Sequence, residues 1–352
     1  MGKRIFWIFV LFVSLAVTIT VSYIHSENFA KILKKQISTN FSNQAGIKIE
    51  FDRVNVGFLP PSLTLVNVDI SVLSENNSLG LKPNTSFRAE KFGFSFPMIQ
   101  AFSRGITVNE IFLTNANIDL EIPQKNSSKK TKGNAKLSDY FLKPIYISIS
   151  KNFSIIIRQL EINESKINLK LNDQDFIHIE KLHYLAITPE SRQTNVVLNF
   201  EDTKFKIEKN QQSLAALKLN ADIKKDALVI SSLDIQREQA ALHASGELRG
   251  SLDHPEQMRP EIAFVIRGNN KDLADIVPAL NNANFLFTAE AKLRGSLEEP
   301  EVTGHIDAAK LQYSKWELDH IKAEVKYANH ELDFTELKIE KNDGSGGCSG
   351  KG

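Results

Sequence analysis

From Ile47 onward, apolar and polar residues alternate at period two along most of the chain. "IKIEFDRVNVGF", "SLTLVNVDISVL", "NIDLEI", "KINLKL", "FIHIE", "ALKLNADI", "EIAFVI", "FLFTAEAKL" and "HIKAEVKY" all carry this pattern. Successive side chains of an extended strand point to opposite sides, so each stretch predicts a strand with one apolar face. In "NIDLEI" that face is Ile118, Leu120 and Ile122. In "KINLKL" it is Ile167, Leu169 and Leu171, with Lys166, Asn168 and Lys170 opposite. Clean alternation indicates antiparallel pairing, because strands buried between helix layers read as continuous apolar runs. No helix long enough to serve as a crossover lies between these strands. The predicted fold class is all-β.

Three segments break the pattern. Ile5 to Ile24, "IFWIFVLFVSLAVTITVSYI", runs 20 residues without a charge. At about 1.5 Å per residue it spans roughly 30 Å, the thickness of a bilayer's hydrocarbon core. Lys3 and Arg4 precede it, which predicts a single-pass anchor with a cytoplasmic N-terminus. A cleaved signal peptide would have a shorter apolar stretch ending in small residues. Residues 25–45 then place Phe29, Ile32, Leu33, Ile37 and Phe41 at helical spacing, with Ser26 as N-cap. This amphipathic helix fits either ordinary packing or a cap on the membrane end of an apolar structure. In "NNKDLADIVPALNNA", Leu273, Ile276, Val277 and Leu280 share a helical face that Asn270 would cap.

A polar linker over 124–144, rich in Lys, Ser and Gly, divides the β region into 46–123 and 145–352. Within the second part, "LRGSLDHPE" from Leu248 returns 45 residues later as "LRGSLEEPE" from Leu293. Each copy ends a strand at Gly-Ser and turns before Pro. With so many one-faced strands and no helices to cover them, the apolar faces must meet a second sheet or enclose something apolar.

Composition excludes more than it assigns. Lys plus Arg is 43 and Asp plus Glu 42, which lacks the basic excess of a nucleic-acid binder. The single cysteine, Cys348, offers neither a disulfide framework nor a thiolate metal site. His178 and His183 lie five apart, on opposite sides of a strictly alternating strand. Glu298, Glu299 and Glu301 around Pro300 belong to a solvated turn. No nucleophile, phosphate-loop or dinucleotide motif is present. No enzyme, cofactor or metal is expected.

The order of parts resembles the AsmA-like superfamily, its TamB branch in particular. The resemblance is carried by the anchor and short helix, then "RVNVGFLPPSLTLVNVDIS", then "AEKFGFSFPMIQAFSRGITVNEIFLTNANIDLEI". "KDLADIVPAL" and the Gly-Ser-Leu-x-x-Pro repeat complete it. The resemblance implies an elongated, curled antiparallel β-groove anchored in the inner membrane, with its bulk in the periplasm of a Gram-negative-type bacterium. It implies phospholipid acyl chains as cargo moving toward the outer membrane, lining Ile118, Leu120, Ile122, Ile167, Leu169 and Leu171. The alternative it implies is an assembly scaffold that partners an outer-membrane barrel of the TamA type. TamB-like chains are usually far longer, so this chain is expected to be an N-terminal fragment whose pattern stops mid-repeat.

Overall fold

The computed structural model describes residues 26–35, 47–58, 61–72, 85–97, 106–121, 145–171, 175–188, 193–207, 210–271, 283–296 and 299–351, apart from isolated positions within them. The expected membrane span over 5–24 and the linker over 124–144 lie outside these residues. Among the described residues no helix is long and apolar enough to cross a membrane. Among the described residues past 46 strand dominates, as alternation predicted. The chain forms two compact units. One holds the strands within Met1–Ser127 and Tyr146–His178, the other those within Ile179–Phe205 and Asn210–Gly352.

In the first unit, β1 (Ile47–Glu50) and β2 (Arg53–Phe58) lie end to end along β3 (Pro61–Val72). β4 (Ser86–Ser95) and β5 (Ile106–Glu121) follow antiparallel, and then the order departs from expectation. β6 (Ile145–Ser150) intervenes in sequence, and β7 (Phe153–Lys170) pairs with β5 in parallel. A parallel return needs a dozen or more residues of crossover, which the chain between Glu121 and Phe153 supplies. The all-antiparallel expectation is corrected at this one pairing.

Register aligns the alternating positions into rows. Ile49, Ile70, Phe87, Ile118 and Ile167 form one apolar row across five strands. Val54, Leu65, Phe92, Leu113 and Ile162 form another. The two rows have opposite sequence parity on β3, yet both pack around buried Phe51, Leu65 and Val68. The slip between them falls at Asn67, Glu90, Asn115 and Glu164, which the flanking registers place in line. Asn67, Asn115 and Glu164 adopt φ of 53°, 49° and 46°. This left-handed backbone, which Asn tolerates best, lets β3, β5 and β7 keep their apolar sets on one face across the slip. Asn67 Nδ2 donates to Asp52 Oδ2 at 2.7 Å, and Asn115 Nδ2 to Glu90 Oε2 at 2.5 Å. The Asn115 bond and neighbouring Lys91 hold the Glu90 carboxyl below its ordinary value.

Beside this seam Ser165 is fully buried. Its Oγ accepts from the Ala116 amide at 3.0 Å and donates to the Asn163 carbonyl at 2.7 Å. Ser165→Ala strands a buried N–H and is expected to cost about 1–3 kcal/mol in urea unfolding. An unchanged midpoint would show that water reaches Ala116.

The N-terminal helix is present over Glu27–Phe29 and at Lys31, Ile32, Lys34 and Lys35. Ser26 caps it as predicted, its Oγ accepting from the Phe29 amide at 3.3 Å. Lys34 Nζ sits 5.6 Å from the Phe51 ring centroid, whereas Ile32 is 50% exposed. Ile32 therefore does not pack, a correction to the expected stripe. Leu33, Ile37 and Phe41 lie outside the described residues.

The second unit is a meander from β8 (Phe176–Ile187) and β9 (Thr194–Ile207) through β10 (Asn210–Ile223), β11 (Ala227–Arg237) and β12 (Ala240–Arg249). It continues through β13 (Arg259–Asn269), β14 (Ala283–Gly295), β15 (Pro300–Tyr313), β16 (Trp316–Ala328), β17 (Glu331–Lys341) and β18 (Gly344–Lys351). From β10 onward each strand pairs antiparallel with the next. Among the described residues no pairing joins β18 back to β8, so this sheet is open. Tyr313 opposite Trp316 closes the hairpin read from the sequence. Of the expected helix after β13, Asn270 and Lys271 are helical, and the cap is Asn269 rather than Asn270. Asn269 Oδ1 accepts from the Lys271 amide at 2.9 Å.

The repeat has a common geometry. Gly250 and Gly295 take φ of 138° and 93°, values L-residues rarely adopt. Ser251 and Ser296 then fasten the turns, accepting from the Asp253 amide at 3.3 Å and the Glu299 amide at 2.9 Å. Forty-five residues carry the chain from Gly250 to Gly295, one strand pair along the sheet.

Candidate functional site

In the second unit, register converts local alternation into continuous apolar rows. Leu217, Ile235, Leu242, Ile266, Ala289, Ile306, Ala323 and Leu337 are successive partners across β10 to β17. At about 4.8 Å between strands this row runs roughly 34 Å. A flanking row runs Leu219, Leu233, Ala244, Phe264, Ala291, Gly304, Val325 and Phe334. The break in register between Phe334 and Leu337 keeps both rows on one face at β17.

This face is not sealed like a sandwich core. Ala244 and Ala323 are buried, but Leu217, Ile235, Leu242, Ile266, Ile306 and Val325 are only half-buried. On β17 Leu332 is 41% and Phe334 38% exposed. Two denser patches punctuate it, one around Val196, Ile223 and Met258, the other around Phe285, Phe287 and Ala308. Apolar side chains left partly open to water along β10 to β17 form a surface suited to another apolar body.

Four of the predicted lining residues are brought together, through a pairing the alternation did not imply. Ile118 lies directly opposite Ile167, and Leu120 opposite Leu169, across the parallel β5·β7 ladder. All four are half-buried, as is Leu171 just past β7; Ile122 lies outside the described residues. The longer rows of the second unit were not singled out from the sequence. Their signal was present in the similar lengths and steady alternation of β10 to β17, but which strand neighbours which cannot be counted from one strand alone.

The opposite face is polar and ion-paired. His243 Nδ1 meets Asp234 Oδ1 at 2.6 Å, and His305 Nε2 meets Glu290 Oε2 at 3.8 Å. His178 bonds Asn168. The left-handed Lys181 (φ 46°) interrupts the alternation used to set His178 and His183 on opposite sides. Among the described residues no grouping of His, Cys, Asp and Glu is arranged to hold a metal.

In the first unit, burial and the neighbouring Glu161 raise the Glu110 carboxyl above its ordinary value. Gln159 Nε2 donates to Glu110 at 3.0 Å. A raised folded pKa means stability present at low pH and lost as pH rises through the ordinary carboxylate range and the raised value. Glu110→Gln is therefore expected to remove a decline in the urea midpoint that the unaltered protein shows on going from pH 4 to pH 7. Equal declines in both proteins would overturn this assignment.

No family model matches this sequence, and no curated protein matches it.

Proposed function

We propose that the protein carries phospholipid acyl chains along an apolar β-groove, anchored in an inner membrane and serving outer-membrane biogenesis. The observation that carries this reading is the apolar face spanning β10 to β17, half-buried and continuous in register. Each methylene withdrawn from water onto such a face contributes about 0.8 kcal/mol, so tails bind without directional contacts. The breaks in register and the positive-φ glycines supply the bending that turns an open sheet into a trough. The uncharged stretch over 5–24 supplies the anchor, and the head groups stay in water. Transport of this kind uses no catalytic residue.

Photo-crosslinking in cells tests the reading, with probes at Leu169 and Ile306 and controls at Lys170 and His305. Phospholipid attached at the apolar positions and absent from the controls is the expected result. Crosslinks at Leu169 and Ile306 to protein alone would sink it and leave the assembly scaffold that recruits an outer-membrane barrel.

A further inference from the structure

The uncharged stretch read as the anchor ends at Ile24, and Ser26 already caps the next helix, its Oγ accepting from the Phe29 amide at 3.3 Å. A cap residue leaves the helical backbone path, so this helix starts afresh instead of prolonging the anchor. Two residues reach at most about 7 Å, the depth of a head-group layer, so with the anchor in place the first turn lies in that layer. Successive residues of a helix turn by about 100°, which distributes the side chains around it. Lys34 falls about 160° from Ile32. Its Nζ sits 5.6 Å from the ring centroid of Phe51, a buried member of the first unit's core. That side of the helix faces the sheet, and Ile32 faces away from it, 50% exposed. Half-buried Phe29 and exposed Lys35 flank Ile32 on either side at about 60°, with Lys31 at about 100°. Glu27 is turned about 140° away. It meets Lys31 at 3.5 Å, but both side chains are exposed, and such a pair holds a lysine only weakly.

We propose that this helix lies flat on the membrane its anchor crosses, Ile32 and Phe29 toward the acyl chains and Lys31 and Lys35 on anionic head groups. An apolar residue flanked by lysines, with the carboxylate turned away, is the side distribution of an interfacial helix. Lysine stems lie along the acyl boundary while their ammonium groups stay among the phosphates. Standing upright, the helix would carry Lys35 about 13 Å outward, past the roughly 8–10 Å over which salt lets an anionic surface attract it. Lying flat keeps both lysines and Ile32 at the surface. Through Lys34 and Phe51 the same helix then seats the first unit against the membrane. The assignment rests on the anchor in the reading above and adds the surface that the chain meets on leaving it.

The test reconstitutes the full-length chain in vesicles of phosphoethanolamine and phosphoglycerol lipids in equal parts. Nitroxide labels are placed singly at Ile32→Cys, Glu27→Cys and Leu15→Cys, each with Cys348→Ser. Spin resonance then compares collisions with oxygen, which concentrates in lipid, and with a nickel chelate confined to water. The label at 32 is expected to favour oxygen several-fold more than the label at 27, at a depth of about 5–10 Å. The double variant K31Q/K35Q should lose most of that preference, as should the unaltered lysines in vesicles of phosphocholine lipid alone. A preference that survives both changes overturns the assignment to anionic head groups. A label at 32 shielded from both reagents means that protein covers Ile32, and overturns the membrane contact. Equal exposure to nickel at 27 and 32, with the label at 15 rich in oxygen, overturns the helix contact and leaves the anchor standing. Exposure to nickel at all three positions overturns both.

Discussion

Ile306→Asp is expected to lower the lipid bound by the purified protein about tenfold or more, with its strand content unchanged. Ile306 sits inside the apolar row, between Ala289 on β14 and Ala323 on β16. Because the residue is only half-buried, water still solvates the aspartate in the empty protein and the fold tolerates it. Once tails cover the row, the same carboxylate is taken out of water with no partner, at a cost of several kcal/mol. Thr303→Asp is the matched control. Thr303 lies on the opposite face between Lys292 and Lys326, where a carboxylate gains cations. Bound phospholipid per protein, measured after gel filtration, checks the pair. Equal loss in both variants would mean that charge, not the apolar row, controls binding. No loss in Ile306→Asp would mean that tails do not lie there.

The second large effect is structural. Gly246→Val is expected to destabilise the second unit by roughly 3–5 kcal/mol, the sum of backbone strain and overpacking. Gly246 has φ of 149°, and a Cβ there would lie 2.2 Å from the Glu261 carbonyl oxygen and 2.7 Å from Ile262 Cα. Those atoms belong to the paired strand β13 and cannot move without breaking the ladder. Hydrogen exchange should show lost protection first in β12 and β13, together with a lower urea midpoint. The first unit has its own rows and clusters, so β3, β4 and β5 should keep their protection. Protection lost uniformly across both units would show that they unfold together.

Alternation alone determined that this chain is built of strands with one apolar face, because a period of two is a local property of each stretch. It likewise named Ile118, Leu120, Ile167 and Leu169 as members of one face, Ser26 as a helix cap, and the Gly-Ser turns of the repeat. It could not determine that Ile118 meets Ile167 through a parallel pairing, since strand direction depends on the long crossover rather than on either strand. Nor could it foresee the seam at Asn67, Glu90, Asn115 and Glu164. A left-handed residue reverses the parity of everything after it, and only its neighbours across the ladder show that the face is preserved. Arg249, Arg259 and Arg294 look like ordinary solvated charges in sequence. Register alone set Arg249 and Arg259 directly opposite one another and brought Arg249 and Arg294 to the same Glu261, because cross-strand neighbours are fixed by pairing, not by distance along the chain.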